Sequence, residues 1–464
     1  MFRYIISIIL VFSVASIYAQ PVIDNVFVEP ELIEQVPTYQ NIPSPENVLV
    51  VYKFQENSLD TIGIVSNLVK NYYLSQRNIP IINTLALELD TQVVIDDHVI
   101  KLFQNGEIIR DTTQAWLDRF WTAGATIHAW QYFNSYIFIP IQNYLANTFV
   151  NGVPLKNTIK YVVLCKGIPI RIQSRIDGSG IGFYSRWNVA LDPLLCYLNQ
   201  EDQQFSILNL FNTSYSNHPN PYRYQDPLLN FSYRFQSHQF PIDGTNLKLS
   251  YLVSRLDGLT QDKVIDLINN SKNADHSGSG TFIFDSHPFT NPSLNSYNQI
   301  LESAHNILIS LGFNSVYDNY SPDPIYTSTN PILGYISWGV HSGLPTGYVL
   351  DNLSFTFKPG AIVNTLESFN GSTMGLKYSD RNIRRAGQGL ISEFIYAGSS
   401  SGPCHTWEPY LSMAVRVNYT YTKYAMGYNL VDAIYLGMPT LGWQNVVIGD
   451  PLQTIAWGKQ SLTS

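Results

Sequence analysis

The sequence is poor in charge, and it has no run of basic residues. Charged residues make up 13% of its 464 positions, and 27 Lys and Arg against 35 Asp and Glu give a formal net charge of −8. An acidic chain without a Lys/Arg-rich segment lacks the electrostatic footprint of a nucleic-acid binder, so we expect no nucleic acid as a partner. The hydrophobic share of 45% and the aromatic share of 13% exclude a disordered chain.

Cysteine is too scarce for a disulfide framework. The three cysteines are Cys165, Cys196 and Cys404, and an odd number cannot all be paired. Cys165 lies inside an apolar run, which predicts a buried thiol. A bridge between Cys196 and Cys404 stays open at this stage, because the sequence cannot decide it.

The common sequence motifs of metal and nucleotide sites are missing. The chain contains no H-E-x-x-H, no C-x-x-C, no EF-hand loop and no P-loop. His405 and Glu408 form one isolated pair, three residues apart. Aspartates at predicted strand ends could bind a hard cation, but they could equally cap helices. We therefore expect no metal and no cofactor.

One long apolar segment stands at the N-terminus. Arg3 precedes the apolar residues 5–14, and Ala19 follows at a suitable cleavage position. This pattern predicts a signal peptide over residues 1–19, with an uncleaved membrane anchor as the alternative. No later stretch could cross a bilayer, so we expect an exported protein, periplasmic or extracellular, without a membrane span after cleavage.

Periodicity divides the rest of the chain into two α/β halves. An extended lead-in over 20–45 is followed by a first half over 46–173, an irregular insertion over 174–244 and a second half over 245–464. Short apolar runs alternate with helical periods in both halves, which predicts an α/β fold of mostly parallel sheets flanked by helices, as in Rossmann-like proteins. Within the first half, much of 92–149 is expected to form an aromatic-rich helical layer.

Polar residues follow the predicted strands, where parallel sheets bind their ligands. His341 and Ser368 follow two consecutive strands, and a histidine beside a hydroxyl is the minimum for general-base activation of a nucleophile. The alternative is that both are loop residues satisfied by local hydrogen bonds. Further candidates for ligand binding are Asp257, Asp285, Glu367, Asn370, Glu408 and Asp450.

Two other segments contain candidate nucleophiles. Residues 398–402 read G-x-S-x-G around Ser400, but a helix is predicted before the motif, whereas a nucleophile elbow needs a strand before it and a helix after it. Cys404 is followed directly by His405. A thiol needs a lowered pKa to act as a nucleophile, and neighbours in sequence seldom have the required geometry. A packing role is the alternative for Cys404.

Several short segments between residues 46 and 455 form a specific combination of motifs. They are NVLVVY from residue 47, RNIP from 77, VLCKGIPIR from 163, LVSRLDG from 252, GYISWG from 334, FKPGAI from 357, EPY from 408 and VVIGDPL from 446. Together they resemble an uncharacterised family of exported bacterial proteins that tends to occur in genomes with exosortase sorting systems. The family has no established activity, so the resemblance implies no reaction.

A second resemblance concerns the order of strand, histidine, strand and nucleophile. GVHSG from residue 339 and ESFNG from residue 367 are similar to the His-Gly loop and the Cys-x-Asn-Gly segment of caspase-like cysteine peptidases of the gingipain type. The resemblance implies a caspase-like second half with His341 and residue 368 as the catalytic pair. Ser368 stands where those enzymes have cysteine, and a hydroxyl needs much stronger base assistance than a thiol. The resemblance therefore implies a degenerate site.

Three functions follow as hypotheses. The first is a cleft at the degenerate site that binds a peptide or a glycan, which the aromatic composition suits. The second is a peptidase-like hydrolase that uses Ser368 or Cys404 with His341. The third is a structural component of the envelope or matrix. The sequence leaves the ligand and the oligomeric state open.

Overall fold

The structure is a computed structural model that describes residues 43–95, 98–102, 107–111, 131–172, 189–198, 220, 222–223, 240–241, 248–375, 387–441 and 444–455. The predicted signal peptide and most of the lead-in and of the 174–244 insertion lie outside these residues. In the described part of the chain, no helix is long and apolar enough to cross a membrane.

The described residues contain nineteen strands and nine α-helices. The strands are β1 Val48–Lys53, β2 Thr84–Leu87, β3 Gln92–Ile95, β4 His98–Leu102, β5 Glu107–Asp111, β6 Phe149–Val150, β7 Val153–Pro154, β8 Tyr161–Cys165, β9 Arg171–Ile172, β10 Val189–Ala190, β11 Phe240–Pro241, β12 Lys248–Leu249, β13 Leu252–Leu256, β14 Thr281–Asp285, β15 Asn314–Tyr317, β16 Ile332–Ser337, β17 Phe357–Thr365, β18 Gly402–His405 and β19 Asn445–Ile448. The α-helices are α1 Thr61–Arg77, α2 Ile139–Asn147, α3 Leu191–Leu195, α4 Gln261–Lys272, α5 Pro292–Ser310, α6 Tyr348–Asp351, α7 Ile391–Tyr396, α8 Val417–Ala425 and α9 Leu430–Gly437.

Two mostly parallel sheets form the centre of the fold. The first has six strands in the order β18-β19-β13-β8-β1-β2, and only β18 and β19 pair antiparallel. The second has four parallel strands in the order β15-β14-β16-β17. Strands such as β1 and β8 are short apolar runs that are buried almost throughout, as expected where helices cover both faces of a sheet. The predicted α/β class is therefore confirmed.

The two sheets are joined edge to edge where β17 meets the start of β18. The backbone N–H of Val363 donates to the carbonyl of Ser401 at 2.9 Å, and the N–H of Ser400 donates to Ala361 at 3.1 Å. A side chain on Gly402 would lie 2.0 Å from the Val363 carbonyl oxygen, so only glycine allows this approach. The join places the carboxyl ends of β14, β16, β17 and β18 along one edge.

The helices cover the sheets through amphipathic faces. Helix α1 begins at the capping residue Asp60, whose carboxylate accepts the N–H of Gly63, and it contacts α4 and β1. Helix α8 contacts α5 and α9, and its Tyr421 donates to the carbonyl of Tyr335 in β16 at 2.6 Å. These contacts fix the strands whose ends carry the candidate residues.

The helical layer predicted over 92–149 is wrong in its first part. Residues 92–95, 98–102 and 107–111 form β3, β4 and β5, which pair antiparallel with one another in a separate five-stranded sheet. In that sheet β5 pairs parallel with β9, and β9 pairs antiparallel with β10. Runs such as Gln92-Val93-Val94-Ile95 are rich in β-branched residues, which favour strands, and the broad amphipathic pattern concealed this signal. Among the described residues, helix occurs in the later part of this region, with a π-helical turn at Asn134–Phe138 ahead of α2, and residues 112–130 lie outside the described residues.

The three cysteines are buried free thiols. The structure therefore contains no bridge between Cys196 and Cys404. The Cys196 sulfur instead lies 3.3 Å from the hydroxyl of Tyr435 in α9. Cys165, at the end of β8, is buried in the hydrophobic core as its apolar surroundings predict.

Candidate functional site

His341 and Ser368 follow neighbouring strands of the four-stranded sheet. Strands β16 and β17 run parallel, with Ser337 opposite Thr365 at their carboxyl ends. His341 lies in the 3₁₀ turn Gly339–Ser342 that follows β16, and Ser368 lies three residues beyond β17. Because the two strands are neighbours, both residues reach the same edge of the sheet.

A cavity of about 360 Å³ lies at this edge. Its lining residues are Phe289, Leu294, Trp338, His341, Leu366, Glu367, Ser368, His405, Glu408, Pro409, Tyr410, Leu411 and Ala414. The wall is mostly apolar, and the titratable side chains come from the segments that follow β16, β17 and β18. A concave apolar pocket with a few converging polar groups is the usual form of a ligand site.

The hydroxyl of Ser368 donates its hydrogen bond to the Oε2 atom of Glu408. The other carboxylate oxygen of Glu408 accepts the backbone N–H of Tyr410 at 3.1 Å. His341 lies exposed at the rim of the cavity, where partial desolvation lowers the pKa of its imidazole and the charge of Glu408 offsets part of that shift. Ser368 is therefore oriented by a carboxylate, and the imidazole of His341 is mostly neutral at pH 7.

The backbone N–H groups beside the two candidates already have acceptors. The N–H of Phe369, directly after Ser368, donates to the side-chain oxygen of Gln388 at 2.6 Å. The N–H of Val340 donates to Glu367 at 3.1 Å. An acyl-transfer site needs such donors free to bind the oxyanion of the tetrahedral intermediate. These two donors are not free in this structure.

Glu367 is buried, and its hydrogen bonds connect the loop after β16 to the loop after β17. Its Oε1 atom accepts the N–H groups of Val340 and Gly389, each at 3.1 Å, and its Oε2 atom accepts the hydroxyl of Tyr348 at 2.9 Å. Burial raises the pKa of Glu367 to about 7, although these donors act in the opposite direction. A side chain on Gly339 would lie 2.2 Å from the Glu367 carboxyl carbon, so the turn before His341 can approach only because residue 339 is glycine.

Tyr410 has a backbone conformation that is essentially restricted to glycine. Its φ is 61° and its ψ is 149°, and a residue with a side chain held there costs about 1–3 kcal/mol. Two contacts hold it: the hydrogen bond of its N–H to Glu408 and the 3₁₀ turn Leu411–Met413 that follows. Strain of this kind clusters at ligand sites, and here it occurs in the cavity wall.

Trp338 forms a rigid apolar wall of the cavity. Its indole N–H donates to Asn298 in α5 at 2.7 Å, and Asn298 donates in turn to the carbonyl of His287 at 2.7 Å. The ring of Phe289 meets the Trp338 ring edge to face, with centroids 4.6 Å apart and an angle of 69°. The wall is therefore fixed by both packing and hydrogen bonds.

His405, the last residue of β18, is a further part of the wall. Its side chain is 1% exposed, and neither ring nitrogen has a hydrogen-bond partner among the described residues. Burial lowers the pKa of His405 to about 4, so the imidazole is neutral at pH 7. The sequence showed His405 only as a neighbour of Cys404 and Glu408, because no periodic pattern marked β18.

Asn370 supports the loop of Ser368 from below. Its side-chain amide donates to the hydroxyl and the carbonyl of Thr365 at 3.0 and 3.2 Å, and its oxygen accepts the backbone N–H of His405 at 2.7 Å. Asn370 is buried and does not line the cavity. The structure therefore places it as a positioning residue between β17 and β18.

Asp257 and Asp450 lie at strand ends outside the cavity. Asp257 pairs with Lys166 at 3.0 Å, and Lys166 also donates to the carbonyl of Met374 at 2.9 Å. Asp450 accepts the hydroxyl of Tyr73 at 2.7 Å and pairs with Arg77 at 2.5 Å. Both aspartates are fully engaged in joining strand ends to neighbouring elements, so their geometry is that of structural residues.

Asp285 also lies outside the cavity, beside a second carboxyl group. It ends β14 and is fully buried, and its Oδ2 atom accepts the N–H of Ile325 at 3.2 Å and the hydroxyl of Tyr335 at 3.4 Å. Burial, followed by the charge of Asp318, raises the pKa of Asp285 to about 8. The pair holds the ends of β14 and β15 together. Among the described residues, no group of three or more His, Cys, Asp and Glu side chains could hold a metal ion.

Neither Cys404 nor Ser400 has the environment of a nucleophile. The thiol of Cys404 is buried, does not line the cavity, and has its pKa raised by desolvation, so it is not a thiolate at neutral pH. The hydroxyl of Ser400 is buried and accepts the N–H of Gly360 at 2.8 Å. Ser400 belongs to the junction between the two sheets and not to a nucleophile elbow.

Comparison with known proteins gives a structural likeness and no family. No family model matches the chain, and no curated protein matches it. One similar solved structure is the Arg-specific cysteine proteinase gingipain R (RgpB), with 12% identity, a TM-score of 0.41, and coverage of 90% of this chain and 80% of that chain. Another is the complex of the pro- and mature domains of RgpB from Porphyromonas gingivalis, with 13% identity, a TM-score of 0.36, and coverage of 88% and 79%.

Proposed function

We propose that the cavity beside Ser368 binds a peptide without hydrolysing it. The observation that carries this proposal is the hydrogen bond from the Ser368 hydroxyl to Glu408. A serine nucleophile needs a base whose pKa lies near the working pH, and imidazole meets this requirement better than a carboxylate. The Ser368 hydroxyl directs its proton to the Glu408 carboxylate, so His341 does not accept that proton in this arrangement.

The engaged backbone donors support the same conclusion. A protein that stabilised a tetrahedral intermediate would keep the N–H groups next to Ser368 unoccupied, and removal of one such donor costs about 10²–10³ in rate. Here Phe369 donates to Gln388, and Val340 donates to Glu367. These two N–H groups would have to leave their present acceptors before they could bind an oxyanion, which supports binding without hydrolysis.

The composition of the wall favours a peptide over a glycan. Sugar rings carry many hydroxyl groups that need hydrogen-bond partners when they are buried, whereas the wall of this cavity is mostly apolar. Phe289, Trp338 and Leu294 instead provide a surface suited to one apolar side chain. Export by a signal peptide over residues 1–19 is part of the proposal, and it would place the cleft outside the cytoplasm.

A hydrolase remains the second candidate, because one contact favours it. Among the lining residues of this cavity, Ser368 is the one serine or threonine, and its hydroxyl already donates to Glu408. A carboxylate in that position could act as the general base if substrate binding excluded water and raised its pKa. In that case His341 at the rim would take part in protonating the leaving group.

Two measurements on the wild-type protein separate these candidates. Binding is measured by fluorescence polarisation with a labelled hexapeptide library, and nucleophile reactivity is measured with a fluorophosphonate probe, with trypsin as the positive control. We expect saturable peptide binding and no labelling of Ser368. Labelling that Ser368→Ala abolishes and Ser321→Ala preserves would instead support the hydrolase. Absence of binding by every peptide in the library would contradict the proposed function.

A further inference from the structure

The cavity has the size and lining of a pocket for one large side chain. Its volume of about 360 Å³ is at the lower end of the range of ligand sites, about 300–1,000 Å³. Seven of the lining side chains are apolar and come from four different segments: Phe289, Leu294, Trp338, Leu366, Pro409, Leu411 and Ala414. Burial of an apolar ligand group against walls of this kind is favourable.

The two carboxyl groups in the wall are already engaged. Glu367 accepts three hydrogen bonds, from Val340, Gly389 and Tyr348, and it is buried. Glu408 accepts one hydrogen bond at each of its oxygens. A buried guanidinium or ammonium group needs a carboxylate partner to offset its desolvation. Glu367 already accepts three hydrogen bonds from the protein, and a cation bound to Glu408 would share that carboxylate with Ser368 and Tyr410.

The imidazoles in the wall add no fixed charge. His405 is buried and neutral at pH 7, and His341 lies at the rim with its pKa lowered. The histidines therefore add no positive charge, and the Glu408 carboxylate is shared between Ser368 and Tyr410. The apolar part of the wall includes aromatic rings and matches an uncharged aromatic group, which can pack edge to face on Phe289 and Trp338 as these two rings pack on each other.

We infer that the cavity takes an uncharged aromatic side chain, Phe, Tyr or Trp, of the bound peptide in preference to Arg or Lys. This inference rests on the proposed function and names the specificity of the same site.

The test is a position-scanning hexapeptide library read by fluorescence polarisation against the full chain. Burial of one aromatic side chain predicts, at a single library position, about tenfold or greater preference for Phe, Tyr and Trp over Arg and Lys. Ala414→Phe, which fills the cavity, should abolish that preference. Phe289→Ala removes a half-buried part of the wall, and it should lower the affinity for peptides with an aromatic residue about 3- to 10-fold.

Phe54→Ala is the matched control, since Phe54 is 44% exposed and does not line the cavity. It should leave binding unchanged, and urea unfolding of each variant confirms that it is folded. Preference for Arg or Lys would overturn the inference and leave the proposed function intact. Aromatic preference that neither cavity variant alters would also overturn it, because the side chain would then bind elsewhere. A library without any binding peptide would contradict the proposed function itself.

Discussion

The carboxylate of Glu367 accepts the backbone N–H of Val340 at 3.1 Å, so the residue before Ser368 holds the turn that carries His341. The same oxygen accepts the N–H of Gly389, and the other oxygen accepts the hydroxyl of Tyr348. One buried side chain therefore connects the loops after β16 and β17 to the segment ahead of α7. The geometry of the cavity rim depends on this group, and the group is also titratable.

Glu367→Gln should remove a pH dependence of stability between pH 4.5 and 7. Burial raises the pKa of Glu367 from 4.5 to about 7, so in this range the folded protein holds a proton that the unfolded chain has released. The free energy of unfolding therefore falls as the pH rises. Gln keeps the shape, with its oxygen placed to accept Val340 and Gly389. We expect the stability of the variant relative to wild type to increase by about 3 kcal/mol from pH 4.5 to 7.5.

Urea unfolding of both proteins at the two pH values measures this change. The comparison cancels the other titrating groups, including His405, whose lowered pKa gives the opposite slope. An equal shift of wild type and variant with pH would show that Glu367 titrates normally. Such a result would contradict the description of Glu367 as a buried group that connects the two loops.

Gly339→Ala should destabilise the protein by about 2 kcal/mol or more. Gly339 has a φ of 57°, and an added Cβ atom would lie 2.2 Å from the carboxyl carbon of Glu367. Gly343→Ala is the matched control in the same turn, because its φ is 93° and no atom lies within 4 Å of an added Cβ. Gly343→Ala should lower the free energy of unfolding by only about 1 kcal/mol, which is the cost of a side chain at a positive φ. Equal costs for the two variants, measured by urea unfolding, would argue against the contact with Glu367.

The strands at the centre of the fold could be predicted from the sequence, because buried parallel strands are short apolar runs. The segments around Val48, Leu252 and Ile283 are of this kind, and the structure has β1, β13 and β14 there. Strand β18 could not be predicted, since Gly402-Pro403-Cys404-His405 has neither β-branched residues nor alternation. It forms because Gly402 permits a close approach to Val363, which is a tertiary effect.

The sequence predicts only those residues of the candidate site whose positions follow from the order of the strands. His341 and Ser368 follow consecutive apolar runs, and neighbouring parallel strands bring such residues to one edge. The partner of Ser368 was not predictable, because Glu408 reaches it across 40 positions through β18. The hydrogen bond from the N–H of Phe369 to Gln388 was also not predictable, because it depends on the geometry of the loops.

Asp285→Asn should stabilise the protein progressively as the pH rises from 5 to 8.5. Burial and the neighbouring Asp318 raise the pKa of Asp285 to about 8, so its contribution to stability is complete below its usual pKa and is lost as the pH rises through about 8. Asn retains an acceptor for Ile325 and Tyr335 and gains a donor toward Asp318. The measurement is thermal unfolding across this pH range. Asp323→Asn, at an exposed position of the following loop, should follow the wild-type curve, and a variant at Asp285 that also follows it would contradict the raised pKa.

Efficient catalysis should require changes at both missing parts of the site. A thiol at residue 368 is a few per cent ionised at pH 7 and needs less base assistance than a hydroxyl, and the two side chains are close in volume. The oxyanion donor is missing for a separate reason, because Gln388 occupies the N–H of Phe369. Gln388→Ala would release that N–H, whereas Gln388→Glu would keep an acceptor in place.

We therefore expect no peptide hydrolysis by the wild type, weak hydrolysis by Ser368→Cys, and about 10- to 100-fold more by Ser368→Cys with Gln388→Ala, since a preorganised N–H donor stabilises the developing oxyanion. Ser368→Cys with Gln388→Glu is the matched control and should stay at the level of the single variant. The assay is turnover of a fluorogenic peptide library between pH 6 and 9. Turnover should rise with pH as the thiol ionises, because the nucleophile and not His341 limits the reaction. Robust hydrolysis by the wild type that Ser368→Ala abolishes would show instead that Glu408 activates the serine, and the binding cleft would then be an active site.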